Sequence, residues 1–302
     1  MYLHHYGIKE LPFTLTPNTN YFFGLPSHKE AIQVLLTALK TGEGFIKVTG
    51  EVGTGKTLIC RKLLNELPAH FVTAYIPNPY LNPWGLRRSV ASELNVELTD
   101  YSDQQEFTQR IQQRLIHIHQ QNKRVVLIID EAQALPVESI EALRLITNLE
   151  TESHKLLQVV LFGQPELNDK LSLPELRQLK QRVTFSYTLQ FMDADQVYQY
   201  VKHRMNVAGY RGADLFDRKC CSLLFKASKG TPRIVNVLCH KALMLGYGEG
   251  LHKITTTHVK LAIKDTEAAT QTKHTLLISC VGVLVVMVTL SVAYFSRLGF
   301  AL

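Results

Sequence analysis

The chain has 302 residues, 46% hydrophobic and 20% charged, with 17 Gly and 11 Pro, which excludes a disordered or collagen-like segment and allows one large or two modest domains. Its five cysteines are odd in number and form no Cys-x-x-Cys pair, which argues against a secreted disulfide framework or a zinc cluster and fits a reducing compartment. The net charge of +7 is uneven, with residues 1–176 summing to −3 and residues 177–302 to +10, so the second half suits nucleic acid, an anionic leaflet or a nucleotide held between subunits.

The histidines are scattered. The dense pairs His4–His5 and His117–His119 lack the spacing that sets two imidazoles on one helical face, and a solvated surface is expected for them. Residues 1–26 contain no apolar h-region, so a signal peptide is not expected; they should instead form a segment packed on a core spanning 27–190.

Residues 45–57, FIKVTGEVGTGKT, read as a strand running into Gly50, Glu51, Val52, Gly53, Thr54, Gly55, Lys56 and Thr57, a complete G-x-x-x-x-G-K-[ST] loop. Glycines let such a loop curl around phosphates, and the helix opening at Lys56, Thr57 and Leu58 adds its dipole. ATP is the expected ligand, with Lys56 on its β- and γ-phosphates and the Thr57 hydroxyl on Mg²⁺.

A strand is expected at 71–76, a helix from the Asn82-Pro83 cap to about 94, and a second helix from about 102 repeating Phe107, Ile111, Leu115 and Ile118. Residues 124–133, RVVLIIDEAQ, read as a central parallel strand ending in two carboxylates. Asp130 is expected to hold Mg²⁺ and Glu131 to orient and deprotonate the attacking water. A helix at about 137–150 carries Ile140, Leu143, Ile146 and Leu149 on one stripe, and strands follow at 157–162 and 183–189. This alternation predicts an α/β fold: a parallel sheet of about five strands, helices on both faces, and the ligand at the strands' carboxyl ends.

Residues 191–268 have helical periodicity and read as a small lid, followed by a polar linker at 269–274. Residues 275–295 form an uncharged run long enough to cross a bilayer as a helix, leaving a short tail at 296–302. Lys253, Lys260, Lys264 and Lys273 precede the run and only Arg297 follows it, which predicts a cytoplasmic main domain, a single pass through the inner membrane and a periplasmic tail.

The interposed strand, together with the adjacent Asp130 and Glu131, resembles the AAA+ ATPases. That resemblance implies a sensor role for Gln164 after the fourth strand, a second sensor at Arg233 in Gly230-Thr-Pro-Arg233, and an arginine finger at Arg182 or Arg177 acting on a neighbouring subunit. Tyr6-Gly7, Pro12-Phe13, Pro17-Asn18, Tyr21-Phe22, IIDEAQ, LFGQPEL, LRQLKQRV and GTPR, taken with the loop, resemble the ExeA/GspA family of AAA+ secretion ATPases over about residues 1–268.

This family resemblance implies a homo-oligomeric ATPase assembling a type IV, MSHA-type pilus or a type II secretion complex at the inner membrane. ExeA carries a peptidoglycan-binding region beyond its membrane helix, so here a partner protein is expected to reach peptidoglycan. Two other readings are a DNA-binding ATPase like the transposition helpers, which the membrane run disfavours, and a scaffold locked by nucleotide.

Overall fold

The computed structural model describes residues 2–97, 104–148, 155–267 and 269, which divide into two units: residues 16–192, and residues 1–15 together with the chain from 193 onward. In chain order the elements are α1 (Leu3–Tyr6), α2 (Pro26–Thr41), β1 (Phe45–Thr49), α3 (Lys56–Glu66), β2 (Phe71–Ile76) and α4 (Pro83–Glu93). Next come α5 (Gln104–Gln120), β3 (Arg124–Ile129), α6 (Val137–Ile146), β4 (Leu157–Gly163), α7 (Glu166–Leu171), α8 (Arg177–Arg182) and β5 (Val183–Thr188). The remainder is helical: α9 (Ala194–Val207), α10 (Arg218–Ser228), α11 (Pro232–Gly248) and α12 (Thr256–Lys264).

The five strands pair in parallel in the order β2-β3-β4-β1-β5. Period-two alternation divides the core into two layers. Val125, Leu127, Ile129, Val159 and Leu161 join α4, α5 and α6 on one face, whereas Val126, Ile128, Val160 and Phe162 join α2 and α3 on the other. Central strands buried on both faces need continuous Val/Leu/Ile runs. The edge strand β5 alternates half-buried and exposed positions instead.

Helix boundaries follow local chemistry. Pro83 opens α4 behind Asn82, whose side-chain oxygen accepts from the Gly85 N–H at 2.7 Å. The stripe expected on α6 is buried at Ile140, Leu143 and Ile146, but α6 ends at Ile146, and Leu149 with Glu150 lies outside the described residues.

The expected packing of residues 1–26 on the sheet core requires correction: residues 1–15 group with the helical unit. The Tyr2 hydroxyl meets His240 Nδ1 at 2.8 Å and the Tyr6 hydroxyl donates to the Leu243 carbonyl at 3.1 Å. Buried Arg204 donates from Nε to the Pro12 carbonyl and from Nη1 to the Tyr200 hydroxyl at 2.9 Å, which in turn donates to Asn236 at 2.9 Å. Aromatic side chains and a desolvated guanidinium thus make this segment part of the helical core. Only the stretch after residue 15 belongs with the sheet, where the Pro17 carbonyl accepts from Arg61 on α3 at 2.8 Å.

Among the described residues no helix is long and apolar enough to cross a membrane; the run at 275–295 lies outside them.

Candidate active site

Parallel pairing brings three strand ends to one edge. Thr49 pairs with Gly163 and Ile129 with Leu161, so the loop from Gly50, the Asp130-Glu131 pair and Gln164 emerge side by side. Because β4 lies between β1 and β3, the loop and the carboxylates stand two strand spacings apart, roughly 10 Å, wide enough for a phosphoryl group and a water. The Gly50 N–H donates to the Gly163 carbonyl at 3.2 Å, tying the loop to the middle strand.

The loop holds its own shape. A side chain at Gly50 would meet Thr54 Oγ1 at 2.8 Å and Leu189 Cβ at 3.0 Å. Gly55 has φ of 101°, left-handed backbone that L side chains rarely adopt, immediately before α3. Gly53 likewise has positive φ, and Glu51 and Val52 form the exposed tip. The Thr54 hydroxyl donates to the Glu51 carbonyl at 2.8 Å. Buried Lys56 spans the loop, donating to the carbonyls of Gly50 at 2.7 Å and Glu51 at 3.0 Å. Burial lowers its pKa, and the carboxylates of Glu131 and Asp130 oppose that shift.

His28, on α2, corrects the expectation of surface histidines. It is 4% exposed, and its Nε2–H donates to the Thr54 carbonyl at 2.9 Å. Burial lowers its pKa and favours the neutral ring, and the hydrogen bond to the Thr54 carbonyl opposes that shift. It supports the loop from beneath, with its ring against Gly55.

Asp130 is 2% exposed. Burial raises its pKa, while hydrogen bonds from the Thr57 side chain and the Glu131 N–H pull it down. Thr57 and Asp130 are therefore partners, a hydroxyl in the first turn of α3 and a carboxylate just beyond the end of β3. These hard oxygen donors, beside a phosphate-sized loop, fit Mg²⁺, which usually takes one or two protein oxygens together with phosphate and water.

Glu131 adopts φ of 52° and ψ of 38°, a left-handed conformation that costs a non-glycine residue roughly 1 kcal/mol or more. Two side-chain amides hold its carboxylate: Gln133 Nε2 donates to Oε2 at 2.5 Å, and Gln164 Nε2 donates to the same oxygen at 3.1 Å. Gln133 Oε1 accepts the Gln164 N–H at 3.0 Å, and Lys170 on α7 donates to the carbonyls of Gln133 and Leu135 at 2.6 Å each. Gln133, Lys170 and His28 received no role in the sequence reading. The available signal for Gln133 was its place two residues beyond Glu131; the other two are distant in sequence.

The cationic candidates separate. Arg182 leads into the amino end of β5 and donates to Asn148 Oδ1, whereas Arg177 is exposed at the start of α8. Val183 pairs with Phe45 and Thr188 with Thr49, so Arg182 lies a strand length, about 15–20 Å, from its own loop. Arg233 is exposed in the first turn of α11, in the helical unit.

The fold and these strand ends define a P-loop AAA architecture, and a family model described as an AAA domain matches residues 39–171. The chain is similar to General secretion pathway protein A of Aeromonas hydrophila, 40% identical over 262 residues, which are 87% of this chain and 48% of that protein. It thus spans about half the length of that relative. Among solved structures, the ORC2 protein of Aeropyrum pernix, in ADPNP-ADP complexes, superposes with a TM-score of 0.63 at 14% identity, covering 86% of this chain and 74% of that one. CDC6P from Pyrobaculum aerophilum gives 0.64 at 18% identity, covering 84% and 70%. At such identities the likeness is one of fold.

Proposed function

We propose that this chain binds and hydrolyses Mg-ATP as an inner-membrane-anchored AAA ATPase, driving or regulating assembly of a type IV, MSHA-type pilus or a related type II secretion complex. The observation that carries hydrolysis is the Glu131 carboxylate, held by Gln133 and Gln164 beside Lys56 and Asp130 at one sheet edge. With Oε2 occupied by two amides, Oε1 is the oxygen to take the proton of an attacking water. Mg²⁺, held by Thr57 and through Asp130, would neutralise phosphate charge when bound. Lys56 swings from its loop carbonyls to the β- and γ-phosphates, and Gln164 fixes the base and senses the γ-phosphate. Arg233 keeps the second-sensor role that the sequence resemblance implies.

The position of α8 at the opposite end of β5 supports a finger acting in trans, and hence a homo-oligomer. Arg177 is the freer of the two candidates, exposed while Arg182 bonds to Asn148. The secretion or pilus context is drawn from the similarity to General secretion pathway protein A of Aeromonas and from the sequence resemblance. Membrane anchoring, a cytoplasmic ATPase domain and a partner reaching peptidoglycan rest on the uncharged run at 275–295 and the lysines before it.

The test is ATP turnover and nucleotide binding by the purified chain. Glu131→Gln should retain ATP binding and lose turnover by at least about a hundredfold, whereas Lys56→Ala should lose both. Unchanged hydrolysis in Glu131→Gln would remove Glu131 from the mechanism.

A further inference from the structure

We propose that the face of the helical unit formed by α12 and the grooves beside it docks on an anionic phospholipid leaflet, gripping phosphodiester headgroups while apolar side chains enter the interface. It rests on the membrane reading above only for the presence of a bilayer. Along α12, Val259 and Ala262 are buried, while Thr257, Lys260, Leu261 and Lys264 are exposed at the i, i+3, i+4, i+7 spacing of one helical face. Leu261 is 44% exposed between two lysines.

The two flanks differ in chemistry. Between α10 and α12 lies a groove of about 410 Å³ lined by Arg218, Lys219, Ser222, Leu223, Thr256 and Lys260, three cations and two hydroxyls without a carboxylate. Arg218 also pairs with Asp195 at 3.0 Å, but both are well exposed, so the pair is weak and exchangeable. Between α11 and α12 lies a groove of about 540 Å³ floored by Met244 and Leu261 and edged by Lys241 and Lys264. Its one acid, Asp265, pairs with Lys241 at 2.8 Å, and because Asp265 is well exposed this pair too is weak and exchangeable. Met244 is 51% exposed.

Cations and hydroxyls suit phosphodiesters, and an adjoining Met–Leu strip suits acyl chains. Nucleic acid would use the cations but leave the aliphatic strip exposed, and the residues lining the two grooves include no aromatic ring on which bases could stack. The chain also leaves α12 toward the uncharged run at 275–295. The intervening residues 265–274 can extend at most about 35 Å, so an inserted run would keep this face within reach of the headgroups.

The experiment places the full chain in lipid nanodiscs of phosphatidylcholine alone, or of phosphatidylcholine with phosphatidylglycerol, and maps lysine acetylation by mass spectrometry. Labelling of Lys219, Lys260 and Lys264 should fall about fivefold in anionic discs, with Lys202 and Lys229 unchanged. Co-elution with discs reads insertion of the apolar run separately. Equal labelling in both lipids with co-elution overturns the docking face and leaves the anchor standing. Protection by anionic vesicles without disc incorporation supports the face and removes the anchor. Protection already present in detergent points to contact between copies, and protection by duplex DNA at physiological salt but not by lipid points to nucleic acid; either overturns the proposal.

Discussion

Glu131 and the two glutamines show how individual residues divide the chemistry. Both amides address Oε2 of one carboxylate, so they set its direction. Gln133 is a positioning residue: Gln133→Ala should lower kcat about tenfold with the KM for ATP nearly unchanged, because it does not touch the phosphate loop. A rise in KM with kcat preserved would place Gln133 in binding instead. His28 makes a separate prediction. Its folded pKa lies below the unfolded value, so its contribution is complete above about pH 6.5 and is lost as pH falls, because the unfolded chain takes up a proton that the buried ring resists. Denaturation midpoints measured from pH 7 to 5 should fall, and His28→Gln should remove up to about 1.4 kcal/mol per pH unit of that slope. An identical slope would show that other groups cause it.

The sheet elements were legible because each obeys a local rule. A period-two run fills two core layers, an Asn-Pro pair opens α4, and a glycine-rich turn joins β1 to α3. The first fifteen residues were misassigned because aromatic side chains do not specify which surface will receive them. Their hydrogen bonds go to α9 and α11. Arg204→Ala should therefore destabilise the helical unit by roughly 3 kcal/mol, since it leaves the Tyr200 hydroxyl and the Pro12 carbonyl without this buried donor. Hydrogen exchange should quicken in α9 and α11 and leave β1, β3 and β4 unchanged. Loss of protection in the sheet would mean that the segment supports the core after all.

At the scale of the whole molecule, one chain brings the Glu131 carboxylate, the glycine loop and the Thr57–Asp130 pair to one end of the sheet, with α8 at the other end of β5. If Arg177 serves a neighbour, mixing inactive Arg177→Ala subunits with inactive Lys56→Ala subunits should restore turnover, to about a quarter of wild type at equal ratio for random pairing across a two-subunit interface. No recovery, with mixed oligomers confirmed by mass, would transfer the role to Arg182 or dismiss it.

The phosphate loop, the carboxylate pair and the alternation of strands and helices were determined by the sequence itself, because each depends on residue types at short fixed spacings. Tertiary structure alone decided that Gln133 and Gln164 share one oxygen of Glu131, that His28 supports Gly55 and Thr54, and that residues 1–15 join the helical unit. Those contacts join residues brought together by strand order and helix packing, and neither is encoded in local spacing.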